Sequence, residues 1–190
     1  MAAAQKLKPL ETQRYTYADY CTWDDSERWE LIDGIPYLMA APSRPHQGIS
    51  RNFILQIAGF LRGKTCKVYH APFDVRLNSD TFDNTVVQPD IAVFCDNSKL
   101  DEKGAVGAPD IAIEILSPTS ASHDMIKKYM LYMNVGVREY WIADPATETV
   151  VVHILEDGRY KGRVYEKTET VPVTVLEGCN IDLTEVFSDI

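Results

Sequence analysis

The chain has 190 residues, 45% hydrophobic and 25% charged, with 3 Trp, 10 Tyr and 6 Phe spread along it; this is the make-up of a soluble globular domain that needs no metal or disulfide merely to fold. Its 19 Lys and Arg against 28 Asp and Glu leave a formal charge of −9, which disfavours a general grip on DNA or on an anionic membrane but permits a local phosphate site built on one cation or a metal. No apolar run approaches the roughly 20 residues of a membrane span, and the first residues lack the apolar stretch of a secretion signal, so a cytoplasmic location and no membrane partner are expected.

In chain order, residues 1–14 are polar and expected to form a flexible N-terminal segment ahead of one domain over 15–190. Thr16 can cap a short helix reaching Trp23. Glu30 to Met39 reads as two strands about the tight-turn pair Asp33-Gly34. From Pro45, the apolar positions Ile49, Phe53, Ile54, Ile57 and Leu61 recur at helical spacing, and Arg62-Gly63 ends the helix. Cys66 to Leu77 reads as extended with a bend at Pro72. Asn78 to Asn84 reads as a loop, Val86 to Cys95 as a strand, and Lys99 to Gly107 as a second loop. Asp110 to Leu116 is strongly strand-like. Ser117-Pro118-Thr119 breaks it before a helix from about Ser122 to Asn134, which Gly136 can end. Glu139 to Ala143 is a strand, Val150 to Leu155 and Arg159 to Tyr165 form a hairpin about Asp157-Gly158, and a short strand near Val173 and a turn near Leu183 to Phe187 complete the chain. This order predicts an α/β domain with a mixed sheet, in which the strand 110–116, the helix after it and the strand 139–143 form a right-handed crossover. Cys21, Cys66, Cys95 and Cys179 form no CxxC pair, and buried thiols are expected rather than a zinc site or a disulfide framework.

The chemistry points to carboxylates at awkward positions in apolar strands. Asp90 follows Pro89 at the mouth of Ile91-Ala-Val-Phe94. Glu114 sits inside Ile111-Ala-Ile-Glu-Ile-Leu116, where strand alternation puts Ile111, Ile113 and Ile115 on one side and Asp110, Ala112, Glu114 and Leu116 on the other. An ionised Glu there is costly unless it meets a cation or is well hydrogen-bonded. If the two runs are sheet neighbours, Asp90 and Glu114 converge, and two hard oxygen ligands with waters and a substrate phosphate describe a Mg²⁺ site; a structural salt bridge is the competing reading. Lys128 flanks the helical stripe of Met125, Tyr129 and Tyr132 and can aim at a scissile phosphate, or it can pair with Asp124 on the surface. Lys127 is turned toward solvent. Glu30, anchored beside Trp29, is a further carboxylate near the metal or a solvated strand end. Asp110 reads as a strand-entry residue, and His46 as helix-start packing or an orienting group. No P-loop, GxGxxG or GxSxG occurs.

Taken together, Glu30-Leu-Ile-Asp-Gly34, Pro45-His-Gln47, Gln88-Pro-Asp90, Pro109 to Pro118, Asp124-xxx-Lys128-xxx-Tyr132 and Val137 to Pro145 resemble the Uma2 family of restriction endonuclease-like proteins, from roughly Tyr15 to Phe187. The resemblance implies a PD-(D/E)xK nuclease core, a mixed central β-sheet flanked by helices with an added β-hairpin. It makes Asp90 the first acid, Glu114 the second and Glu30 the acid from the N-terminal part of the core. The motif's lysine should stand two residues after Glu114, where this chain has Leu116; the resemblance offers Lys128 as a migrated replacement. It implies phosphodiester hydrolysis in DNA, with Asp90, Glu114 and the Ile115 carbonyl holding Mg²⁺ (or Mn²⁺), Glu30 binding directly or through water, and a homodimer as the expected assembly. A catalytically inactive binding or assembly module and a phosphohydrolase for smaller substrates are the alternatives.

Overall fold

The computed structural model describes residues 9–10, 12–23, 26–117, 122–188 and 190, the side chains of 122–125 excepted. Most of the expected flexible segment, the break at Pro118-Thr119 and the Asp124 side chain therefore lie outside the described residues. The chain opens with α1 (Tyr17–Tyr20), whose first turn is closed by a capping box: Thr16 and Asp19 each satisfy the other's backbone N–H. The helix stops three residues short of Trp23. A hairpin follows, β1 (Trp29–Ile32) and β2 (Ile35–Leu38). Its turn holds Asp33 and Gly34 at φ 51° and 76°, the left-handed pair that such a two-residue loop requires. Next comes α2 (Arg44–Leu61), capped by Ser43, whose side chain accepts from the His46 N–H.

The segment 66–77 bends as expected, but its halves, β3 (Lys67–His70) and β4 (Asp74–Arg76), enter different sheets. The run 86–95 is likewise two strands, β5 (Val86–Val87) and β6 (Ile91–Phe94), separated by Gln88-Pro89-Asp90. The segment expected as a loop at 99–107 carries two short strands, β7 (Leu100–Asp101) and β8 (Gly104–Val106). Then come β9 (Ile111–Ile115), α3 (Ser122–Val135) and β10 (Glu139–Asp144), with β9 and β10 parallel as the crossover reading requires. The long hairpin β11 (Thr149–Glu156) and β12 (Arg159–Glu166), the ribbon β13 (Thr170–Pro172) and β14 (Asn180–Asp182), and α4 (Leu183–Val186) finish the chain.

The strands build two six-stranded mixed sheets, ordered β2-β1-β5-β4-β8-β7 and β12-β11-β10-β9-β6-β3, with β13-β14 apart. Strand alternation divides the second sheet between two cores. Ile111, Ile113, Ile115 and Trp141 join Ile49, Phe53 and Ile57 of α2 in one core. Ala92, Ala112, Tyr140 and Ile142 pack with Tyr132 of α3 and with Val75 and Val87 of the first sheet in the other. Phe53 and Trp141 meet edge-on at 6.1 Å, and truncating such a fully buried ring costs about 3–5 kcal/mol.

Two further expectations are corrected. Cys66 and Cys95 are bonded, not free, because β3 pairs antiparallel with β6 in the register Lys67↔Phe94, which sets the preceding and following residues opposite each other. Cys179 is the buried thiol, and Cys21 is exposed. Lys127 does not simply face solvent: its ammonium donates to Tyr37 Oη at 2.7 Å.

Candidate active site

The antiparallel register of β6 and β9 sets Ile91 opposite Ile113. The next pair outward is Asp90 and Glu114, so two carboxylates from distant stretches of sequence meet at one sheet end. Pro89 and Asp90 precede the first ladder position of β6. Asp90 Oδ2 instead accepts from the Ile115 N–H at 2.8 Å, and His46 Nε2 lies 3.1 Å away. With Asp90 as acceptor, the imidazole proton sits on Nε2; among the described residues Nδ1, which is buried, has no partner. Thus α2 delivers His46 to the acid from its capped first turn, and the orienting reading of His46 applies. Asp110 serves the strand-entry role expected of it, accepting the Cys95 N–H at 2.7 Å.

Glu114 is on the β9 face that meets α3. Its Oε1 accepts from Lys128 Nζ at 2.9 Å and from Tyr132 Oη at 2.8 Å. The same Lys128 Nζ donates to Glu30 Oε1 at 2.9 Å, and Glu30 Oε1 also accepts the Gln88 N–H at 2.7 Å. Lys128 and Tyr132 stand one helical turn apart, so one face of α3 supplies both donors. The ammonium bridges β1 and β9 through Glu30 and Glu114.

Burial pushes the Glu114 carboxyl up to about 7; Lys128 opposes that shift, while Asp90 and Glu30 add to it. Burial alone would pull Lys128 down, but Glu114 and Glu30 outweigh it and hold the ammonium above its ordinary value. Burial likewise raises Tyr132 well above its ordinary range, with Glu114 adding to it, so its hydroxyl remains a donor. The cluster is unbalanced: Glu30 and Glu114 share the one Lys128 ammonium, and Asp90 adds a third carboxylate with no ammonium on it.

Glu30, His46, Asp90, Glu114, Ile115 and Lys128 line one cleft of about 330 Å³, together with Arg28, Tyr37, Leu116 and Ser117. Every residue singled out from the sequence as a candidate is therefore at this cleft. Among the described residues, no three His, Cys, Asp or Glu side chains form a ready cage for a metal ion. Glu30 is engaged by Lys128 and by a backbone N–H, and no donor among the described residues reaches Asp90 Oδ1 or Glu114 Oε2. Mg²⁺ commonly takes only one or two carboxylates and completes its shell with water and phosphate. Two acids at adjacent strand ends, in a cluster short of positive charge, fit that requirement.

Sequence reasoning left out the roles of four groups. Tyr132 appeared in an apolar stripe and in the Asp124-xxx-Lys128-xxx-Tyr132 motif, with no role of its own. The backbone N–H groups of Gln88 and Ile115 leave no trace in residue type. Arg28 precedes the Trp29-Glu30 pair and could have been found as the one cation beside it.

Residues 16–184 match the Uma2 family, described as "Putative restriction endonuclease". The chain belongs to this family. An uncharacterized protein of Synechocystis sp. (strain ATCC 27184 / PCC 6803 / Kazusa), slr1290, is 25% identical over 145 residues, covering 74% of each chain. A crystal structure from Anabaena variabilis ATCC 29413, described as "a putative nuclease belonging to DUF820", superposes with a TM-score of 0.75 at 21% identity, over 92% of this chain and 98% of that one. This Uma2 chain thus has the restriction endonuclease-like fold, with mixed sheets and few helices.

Proposed function

We propose that this Uma2 chain is a divalent-metal-dependent endonuclease that hydrolyses phosphodiester bonds in DNA. The observation that carries the reading is the meeting of Asp90 and Glu114 at the mouth of a cleft, with the Lys128 ammonium on Glu114. Asp90, Glu114 and the Ile115 carbonyl would hold Mg²⁺ or Mn²⁺, with Glu30 acting through water. The bound ion would polarise the phosphate and acidify a coordinated water.

The protein groups have separable tasks. The Ile115 N–H and His46 fix Asp90 through Oδ2 and leave its other oxygen for the ion. Tyr132 fixes Glu114. Lys128, shared between Glu30 and Glu114, would orient the attacking water and stabilise negative charge that grows on the phosphate. The acidic surface implies that DNA is gripped at this one site and not over a broad basic face.

The test is incubation of the purified chain with single-stranded, duplex and supercoiled DNA and with RNA, with Mg²⁺, Mn²⁺ or EDTA. Cation-dependent cleavage of DNA that Asp90→Ala, Glu114→Ala and Lys128→Ala each abolish is expected. Cleavage unaffected by Asp90→Ala rejects the site, and no cleavage of any substrate favours a non-catalytic binding module.

A further inference from the structure

Arg28 sits at the entrance to β1 and lines the cleft beside Glu30. Its backbone is pinned, since the Met39 N–H donates to the Arg28 carbonyl at 2.8 Å. Its guanidinium is pinned by neutral acceptors: Nε and Nη2 donate to Gln88 Oε1 at 3.1 and 2.9 Å, and Nη2 lies 3.8 Å from Met39 Sδ. One amide oxygen therefore holds the fork in place without cancelling its charge. Among the described residues no carboxylate pairs with Arg28, and nothing accepts from Nη1. Nor is that nitrogen among the buried polar atoms left without a partner. Lys128 is the opposite case, since two carboxylates occupy its ammonium.

A phosphodiester entering this cleft meets the carboxylates of Glu30, Asp90 and Glu114. Lys128 is already shared between two of them, so it adds little to the first capture of the anion, whatever it contributes to the charge that grows during reaction. The cation of the lining with no directly paired carboxylate is Arg28; Asp74, on the far side of the Gln88 amide, feels its charge only at longer range. A guanidinium held through one edge presents its remaining N–H groups as a planar donor pair, which matches phosphate oxygens better than an ammonium does. Being prefixed by Gln88 and Met39, it loses little side-chain freedom when it binds.

We infer that Arg28 is the phosphate-contacting residue of the cleft, donating from Nη1 to a non-bridging oxygen of the nucleic-acid backbone. The inference rests on the cleft being the nucleic-acid site, but not on the chain's cutting what it binds. Gln88 becomes a positioning residue: its amide oxygen aims Arg28, its amide NH2 donates to Asp74 and Tyr20, and its backbone N–H holds Glu30.

The experiment measures binding, so that it stays separate from cleavage. Fluorescence anisotropy of a labelled duplex of about 20 base pairs is followed with Ca²⁺ in place of Mg²⁺, over a range of salt. Each phosphate contact contributes about 0.9 to the slope of log K against log salt. Arg28→Ala should weaken binding by about tenfold and lower the slope by about 0.9. Arg28→Lys should keep the slope while binding several-fold more weakly, because the fork is lost. Gln88→Leu removes the hydrogen bonds of Arg28 but leaves its charge, and so should also keep the slope. A merely structural Arg28 predicts instead that Gln88→Leu and Arg28→Ala behave alike, and folding of each variant is checked by circular dichroism. An unchanged slope for Arg28→Ala, or no binding by the wild type, overturns the inference. The expected slope change together with a wild type that cuts nothing in Mg²⁺ or Mn²⁺ upholds the phosphate contact and rejects the endonuclease reading.

Discussion

Lys128 Nζ and Glu114 Oε1 lie 2.9 Å apart although one residue is on α3 and the other on β9. The ammonium reaches the carboxylate from a helix packed over the strand, while position 116, two residues past Glu114, holds an apolar Leu at the cleft wall. A charge supplied from α3 has one mechanical consequence: Lys128 also ties β1, through Glu30, to β9.

Removing that charge should show the tie. Lys128→Met leaves Glu30 and Glu114 facing each other with no cation, and breaking a buried ion pair from one side costs about 3–5 kcal/mol. The cost should be smaller near pH 5, where Glu114 is protonated, than near pH 8. Urea unfolding at the two pH values measures the difference, and equal losses would contradict it.

The raised Glu114 carboxyl gives a second prediction. Its folded value, about 7, lies above the ordinary 4.5, so folding takes up a proton there. The stability this group contributes without metal is fully present below about 4.5 and is lost as pH rises through about 7. A divalent ion needs the ionised form and competes with that proton. Calorimetric Mn²⁺ affinity should therefore climb with pH up to about 7 and flatten above it. Glu114→Gln should bind weakly at every pH.

Asp90 separates scaffold from chemistry. Asp90→Ala strips the acceptor from the Ile115 N–H and leaves His46 Nε2 without its partner; an orphaned buried donor costs about 1–3 kcal/mol. Asp90→Asn keeps an oxygen for both donors but removes the charge. Thermal unfolding should show a clear loss for the alanine variant and a much smaller one for the asparagine variant. Metal binding should be lost in both.

Glu139 is a fully buried carboxylate away from the cleft. It accepts from Trp141 Nε1 at 2.9 Å, from the Val175 N–H at 2.6 Å and from Thr174 Oγ1, and so fastens the turn after β13 to β10. Glu139→Ala should destabilise the chain by about 3 kcal/mol or more. The Mn²⁺ affinity of the folded fraction should stay unchanged, which separates this acid from the three at the cleft.

The elements legible in the sequence are those whose signal is local. Asp33-Gly34 fixes the first hairpin through its backbone conformation alone, and the spacing from Ile49 to Leu61 fixes α2. Glu114 stood out because a charge interrupts an apolar strand. Other features depend on what arrives from elsewhere. Val86 to Cys95 looks continuous, yet Gln88-Pro-Asp90 hands the chain from one sheet to the other. The pairing of β8 with β4 needs Gly104, where a Cβ would stand 2.2 Å from the Asp74 carbonyl oxygen, and residues 99–107 do not reveal that neighbour. Cys66 and Cys95 became partners only through the register of β3 with β6. The carboxylates were readable one at a time, but the sharing of Lys128 between Glu30 and Glu114 spans 98 and 14 residues and follows only once α3 covers both strands.

The most direct test is to locate the ion. Crystals soaked in Mn²⁺ and measured at its absorption edge should show an anomalous peak roughly 2.1 Å from one carboxylate oxygen each of Asp90 and Glu114, and none in Asp90→Asn crystals. No peak at the cleft, or a peak that Asp90→Asn leaves in place, would contradict the account.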